Sequence, residues 1–158
     1  MKSVKQNVPG NPDLHWCWYA LESMEPVLLY DLLALREAIF VVEQSCIYQE
    51  LDGLDKTALH LLVTQDETVA ACLRVLPPEM AGDRVRIGRV AVSPGFRKRG
   101  LARFMMQNAN KKAEADYPSC GICLDAQTYL QGFYLSLGFH VCGDEFLEDG
   151  IPHIPMQK

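Results

Sequence analysis

The sequence has no apolar run approaching the ~20 residues that cross a bilayer as a helix. Its opening, Met1 to Gly10, has no apolar core of the kind a signal peptide needs. Residues 1–12 are therefore expected to form a flexible lead, and the chain is expected in the cytoplasm, away from membranes. Positive charge is in short supply: 15 Lys and Arg stand against 20 Asp and Glu, for a net charge of −5. That balance argues against general nucleic-acid binding, which needs a basic surface for phosphates. Metal-ligand patterns are also scarce. Cys120 and Cys123 form a lone C-x-x-C with no second pair behind it. On a strand, residues three apart point to opposite faces, so these cysteines read as free thiols and no metal is expected. No internal repeat or low-complexity segment appears. The 158 residues, 49% hydrophobic and 22% charged, suit one domain around one core.

What the chain does have is one dense stretch, Arg84 to Arg103. Val85, Ile87, Val90 and Val92 are β-formers, but their alternation slips between Ile87 and Val90. A slip of that kind predicts a β-bulge, which adds a residue and splays the strand from its neighbour. Ser93-Pro94-Gly95 is turn chemistry. Leu101, Phe104, Met105, Ala109 and Ala113 then recur at helical spacing, so a helix begins near Gly100. A helix start presents amides without intrahelical partners at the positive end of the dipole, which suits an anion. Gly100 and Ala102 leave those amides approachable, and Arg97, Lys98, Arg99 and Arg103 add four cations within seven residues. The expected ligand is a pyrophosphate. The competing reading is an ordinary surface helix with a solvated basic end.

The remaining chain alternates strand and helix patterns. Strands are predicted over 14–20, 58–64, 68–76, 84–92 and 121–126, and from Phe139 to about Phe146. Helices are predicted from Pro26 to about Phe40, from Gly100 to about Asp116 and from about Thr128 to Leu137, the last stopped by Gly138. Residues 41–55 form a long connection of apolar and carboxylate residues, and loops of that length are often functional. The chain closes with Leu147 to Met156, to which no element is assigned.

Arg97-x-x-Gly100-x-Ala102 resembles the acyl-CoA-binding signature R/Q-x-x-G-x-G/A of the GNAT superfamily of N-acyltransferases. Phe133-Tyr134-Leu135-Ser136-Leu137-Gly138-Phe139 resembles the superfamily's second signature, F-Y-x-x-x-G-F, at the right distance behind the first. The similarity extends over nearly the whole chain to the bacterial ElaA-type branch. It runs through Phe40-Val41-Val42-Glu43-Gln44, Tyr48-x-Glu50-x-Asp52-Gly53-x-Asp55, Arg86-Ile87-Gly88-Arg89-Val90 and Glu148-Asp149-Gly150-Ile151-Pro152-His153-Ile154.

The resemblance implies an α/β (α+β) single domain over 1–158. Its sheet is mixed, mostly antiparallel and twisted, with helices on both faces and a V-shaped splay between the strands 84–92 and 121–126. It implies acetyl-CoA as co-substrate, held by Val90, Ala91 and Val92 along the splay and by Arg97, Lys98, Arg99, Gly100, Leu101, Ala102 and Arg103 at the phosphates. Gln127 stands where many family members place a coenzyme-contacting Asn. A backbone N–H near Val90 would polarise the thioester carbonyl, and the phenol of Tyr134 would serve the leaving thiolate.

The implied reaction transfers the acetyl group directly to a primary amine of a small molecule or peptide, and that amine must first lose a proton. Glu43, Glu50, His60, Glu148 and His153 are candidate bases, with Glu43 and His153 foremost. The carboxylates of 43–55 and of Glu148-Asp149 predict a cationic acceptor; the competing reading makes them turn and surface residues. The alternatives to the transferase are a non-catalytic acyl-CoA sensor and a lactone-signal synthase. A homodimer and a monomer are both open.

Overall fold

The computed structural model describes residues 4–81 and 83–158. Residues 1–3 of the expected lead and residue 82 of the 77–83 connection lie outside the described residues. The rest of the lead is a hairpin: β1 (Gln6–Val8) pairs antiparallel with β2 (Asn11–Ala20). Val8 and Leu14 are buried in the main core, so apolar contact holds this segment to the sheet and corrects the expectation of flexibility from Gln6 onward.

The chain continues through α1 (Pro26–Glu37), β3 (Leu59–Gln65), β4 (Thr68–Leu76), a short α2 (Pro78–Ala81) and β5 (Arg84–Val92). Then come α3 (Leu101–Asp116), β6 (Gly121–Gln127), α4 (Gln131–Leu135), β7 (His140–Val141), β8 (Phe146–Glu148) and β9 (Ile151–Gln157). The strands form one sheet in the order β1-β2-β3-β4-β5-β6-β9-β7, with β8 also on β9. Every pairing is antiparallel except β5–β6, which is parallel. Its connection is α3, as a parallel neighbour requires.

Helices cover both faces. Leu101, Met105, Met106, Ala109 and Ala113 of α3, with Tyr134 of α4, pack on Val85, Ile87, Ile122 and Leu124. On the other face Leu32 of α1 and Ile39 beyond it pack on Leu62, Cys72 and Ala91. The apolar stripe of α1 runs on past Glu37, but the backbone widens there into a π-helical turn, Ala38–Glu43. Such turns recur at functional sites, and this one carries Phe40, Glu43 and Gln44 to the edge of the cleft described below. The predicted helix 128–137 is a 3₁₀ turn over Thr128–Leu130 followed by α4. Gly138 stops it at φ +90°, with the Phe139 amide donating to the Tyr134 carbonyl at 3.2 Å.

The closing segment, assigned no element from the sequence, ends β8 and then forms β9, which pairs with β6 from Gln127↔His153 to Cys123↔Gln157. Pro152 and Pro155 hide it in the sequence, because proline lacks the ladder donor. In the fold Pro152 precedes the first pair with β6, and Pro155 lies between the stretches facing β8 and β7. The expected strand 139–146 is instead these two short strands. Among the described residues no helix is long and apolar enough to cross a membrane.

Candidate active site

The bulge expected in β5 is present. Cys72 faces Ala91 and Arg74 faces Gly88, so two steps along β4 match three along β5. Arg89 takes up the extra residue at φ +53°, a left-handed conformation that few non-glycine residues adopt. Beyond the bulge the two parallel strands part. β5 and β6 pair only at Arg84↔Gly121, Val85↔Ile122 and Arg86↔Cys123. Past that vertex a cleft of about 1080 Å³ opens. Val90, Ala91 and Val92 line it on the β5 side, and Gln127, Tyr134 and His153 line it on the other.

The turn after β5 closes one end. Pro94–Phe96 make a single 3₁₀ turn, and Lys98 (φ +63°) and Gly100 (φ +75°) bring the chain round to α3. Gly100 is the N-cap residue, and no side chain caps the helix. A Cβ added at Gly100 would meet nothing within 4 Å, so the amides of Leu101, Ala102 and Arg103 are approached from open cleft. Arg97 and Lys98 line the same end. Arg99 does not. Its Nε donates to Asn11 Oδ1 at 2.9 Å and its Nη2 to Asp13 at 2.8 Å, tying the loop to β2. This corrects its expected place among the phosphate cations. Four cations close in sequence cannot all face one side of a turn.

Tyr134 is 7% exposed, with edge-on contacts to Phe133 and Phe139 at 5.0 and 6.1 Å between ring centres. Burial, helped by the neighbouring Tyr129 phenol, pushes its own phenol up to about 12. His153 is also buried, stacked on Phe146. Its Nδ1 lies 2.7 Å from the Ile151 carbonyl, which can only accept, so Nδ1 carries the proton. In the neutral ring Nε2 then holds the lone pair, and it lies 3.5 Å from Glu148 Oε2. Glu43 is on the rim, but both its oxygens accept from Arg97 Nη2, at 2.8 and 2.9 Å. That carboxylate is engaged by Arg97 and is not presented free to an acceptor. The Gln127 amide donates to Gln44 Oε1 at 3.3 Å, linking β6 to the π-turn.

The other expected bases belong to a buried charge network. Arg36, 1% exposed, donates two hydrogen bonds to Glu50 and two to Asp55. Arg74 holds Asp52 through two bonds of 2.8 Å and reaches Asp55 at 3.1 Å. Arg89 donates from Nε to Glu50 at 2.7 Å and from Nη2 to Asp52 at 3.3 Å. Three guanidinium groups thus match three carboxylates. Burial pushes the Asp52 carboxyl up, but the Arg74 hydrogen bonds, the Leu54 amide and the charges of Arg74 and Arg89 together outweigh it, and Asp52 is held down at about 2. Burial lowers the basicity of His60, whose Nε2 donates to the Asp55 carbonyl at 3.2 Å.

Glu50 and His60 are therefore structural groups and not bases, and the carboxylates of this loop carry no spare charge to attract a cation. Removing one partner from a buried pair leaves the other uncompensated, at a cost of about 3–5 kcal/mol. The sequence reading missed the three arginines. One signal was available: Arg36 continues the Leu28, Leu32 stripe at helical spacing, where a charge without a buried partner would be excluded.

Residues 30–158 match the family model described as an acetyltransferase (GNAT) domain. Protein ElaA of Escherichia coli is 39% identical over 132 residues, covering 82% of this chain and 86% of that protein. Its crystal structure superposes with a TM-score of 0.86 at 35% identity, over 92% of this chain and 99% of the other. An acyl-CoA N-acyltransferase from Pseudomonas aeruginosa superposes at 0.87 with 39% identity and the same coverage. The acyl-homoserine lactone synthase BjaI superposes at 0.66 over 82% of this chain and 74% of that one, and at 19% identity it shares the fold alone. The bulged strand, the parting of β5 from β6 and the open helix start are thus features of a known architecture, and the chain belongs to the GNAT acyltransferases, in the ElaA-type branch.

Proposed function

We propose that this acyltransferase takes its acyl group from acetyl-CoA and transfers it directly to the primary amine of a small molecule. The observation that carries the reading is the single cleft shared by Gly100 at the open start of α3, the splayed backbone of Val90 to Val92, and Tyr134. The amides of Leu101 to Arg103, with Arg97 and Lys98, suit a pyrophosphate. The pantetheine arm would add to β5 as an extra strand in the gap that β6 leaves, which directs the thioester toward the vertex.

A backbone N–H beside the bulge donates to the thioester carbonyl and stabilises the negative charge that develops there. His153 Nε2 takes a proton from the amine, and Glu148 stabilises the imidazolium that results. The new bond joins the amine nitrogen to the acyl carbon, the bond to sulfur breaks, and the second proton of the nitrogen ends on the released sulfur, so that coenzyme A leaves the site as the thiol. Tyr134 donates a hydrogen bond to the leaving thiolate. With its phenol up near 12 it keeps its proton, because an ordinary thiol sits near 8.5 and is the stronger acid. Its role is to stabilise the anion.

The test is incubation with acetyl-CoA and a panel of amines, following thiol release. Release that depends on the amine supports the transferase. Tight coenzyme binding without release under any amine would leave the sensor reading.

A further inference from the structure

Resting on that reading, we infer that the acceptor is a small zwitterion, an amine that carries its own carboxylate in the manner of an amino acid, recognised by Arg86 and Asp125. Arg86 lies in the last pair before β5 and β6 part, and Asp125 stands two residues further along β6. Arg86 Nη1 donates to Asp125 Oδ2 at 2.6 Å across the vertex. Both side chains line the cleft and are about one-third exposed, at 37% and 30%. Among the described residues neither has another hydrogen-bond or ion-pair partner, so Nε and Nη2 of Arg86 remain available as a fork for a carboxylate.

Most charges near the vertex are already committed, while Glu148 and Asp149 line the cleft from the end of β8 and the turn before β9. Arg74, Arg89 and Asp52 are locked in the buried network, and Glu43 is on Arg97. Lys98 and Arg103 serve the phosphate end. The Arg86–Asp125 pair is different, because an exposed ion pair contributes little and can exchange partners readily. A plain cation taken by Asp125 would strand Arg86, and a plain anion taken by Arg86 would strand Asp125. A zwitterion satisfies both: its ammonium replaces Arg86 on Asp125, and its carboxylate replaces Asp125 on Arg86. The exchange occurs at the vertex, toward which a thioester lying along Val90 points, so the amine arrives beside the acyl carbon.

The experiment compares kcat/KM, at saturating acetyl-CoA, for α-amino acids, the amines left when their carboxylate is removed, and diamines. Wild type should prefer the amino acid by about tenfold or more, the scale of a charge-assisted hydrogen-bond pair. Arg86→Gln should bring the ratio to about one, and Arg86→Lys should restore part of it. A ratio near one in wild type, a preference for diamines, or an unchanged ratio in Arg86→Gln would overturn the inference.

Calorimetric titration of amino acids into the coenzyme A-loaded protein reads the same pair without turnover. Binding that Arg86→Gln weakens supports the zwitterion site, and binding indifferent to the substitution overturns it. Absence of thiol release with every amine counts against the transferase reading alone, so the two failures are distinguishable.

Discussion

Glu43 and Arg97 meet across the mouth of the cleft, the Glu43 carboxylate receiving both of its hydrogen bonds from one nitrogen, Arg97 Nη2. Arg97 also donates from Nε to the Val92 carbonyl at 3.1 Å. The residue that opens the phosphate-loop signature is thus shared between the proposed coenzyme end and the π-turn after α1. In the proposed site a phosphate arriving at the loop would compete with Glu43 for that guanidinium. Glu43→Gln should therefore tighten acetyl-CoA binding by up to about fivefold, the scale of one exposed ion pair. Arg97→Ala should weaken binding, with the difference from wild type shrinking as salt rises. Arg99→Ala, which releases the loop from β2, should act mainly on thermal stability. Calorimetry at two ionic strengths measures the first two effects, and wild-type affinity in both Glu43→Gln and Arg97→Ala would disconnect these residues from the coenzyme.

Gly100 combines φ +75° with open space beyond its Cα. Any L-residue there pays about 1–2 kcal/mol for the left-handed conformation, and a long side chain would project into the end of the cleft proposed for the phosphates. Gly100→Leu should lower the melting temperature modestly, keep a native circular dichroism spectrum and lose acetyl-CoA binding. A folded variant with wild-type affinity would count against this end of the cleft as the phosphate site.

Tyr134→Phe keeps the ring in place between Phe133 and Phe139 and removes only the hydroxyl. It should lower kcat by about 10²-fold, the lower end for losing one hydrogen-bond donor to a developing anion, with little change in KM for acetyl-CoA. The sign of the pH dependence follows from the raised phenol. The donating, neutral form persists until pH approaches about 12. Tyr134 therefore adds no alkaline limb to the rate profile below that, and the profiles of wild type and Tyr134→Phe should have the same shape. A limb near pH 10 that vanishes in the variant would mean that the phenol titrates normally.

The buried network makes stability depend on acid. Asp52 is held at about 2 against an ordinary 3.8, and Asp55 is shifted in the same direction. Folded values below unfolded ones mean a contribution that is complete above the unfolded value and fades as pH falls from about 4 toward 2. Thermal melts should lose stability across that window. Arg74→Gln should lower stability at neutral pH and flatten the acid dependence. Arg36→Ala should cost about 3–5 kcal/mol, measured by denaturant unfolding. A variant as stable as wild type would show that the network is dispensable.

The local chemistry of the site is written in short segments. The slip from Ile87 to Val90, the turn at Ser93-Pro94-Gly95, the glycine at 100 and the stripe from Leu101 to Ala113 each constrain only a few residues of backbone. Their effect is therefore visible without the fold, and the bulge and α3 lie where those patterns predict. The Phe133-Tyr134 signature is equally local. Other features depend on which elements become neighbours. β9 carries two prolines, and its place beside β6 is tolerable only because its two edges are shared among three partners in staggered register. Arg36, Arg74 and Arg89 come from a helix and two strands, and the carboxylates they neutralise come from the loop 50–55. A charge in a sequence has no sign of whether it will be matched. The sheet order decided that Glu50, Asp52 and Asp55 are spent inside the protein, that Arg99 serves β2, and that Arg86 and Asp125 face each other across the vertex. Electrostatic pairing acts through space, over distances in sequence that periodicity and turn chemistry do not span.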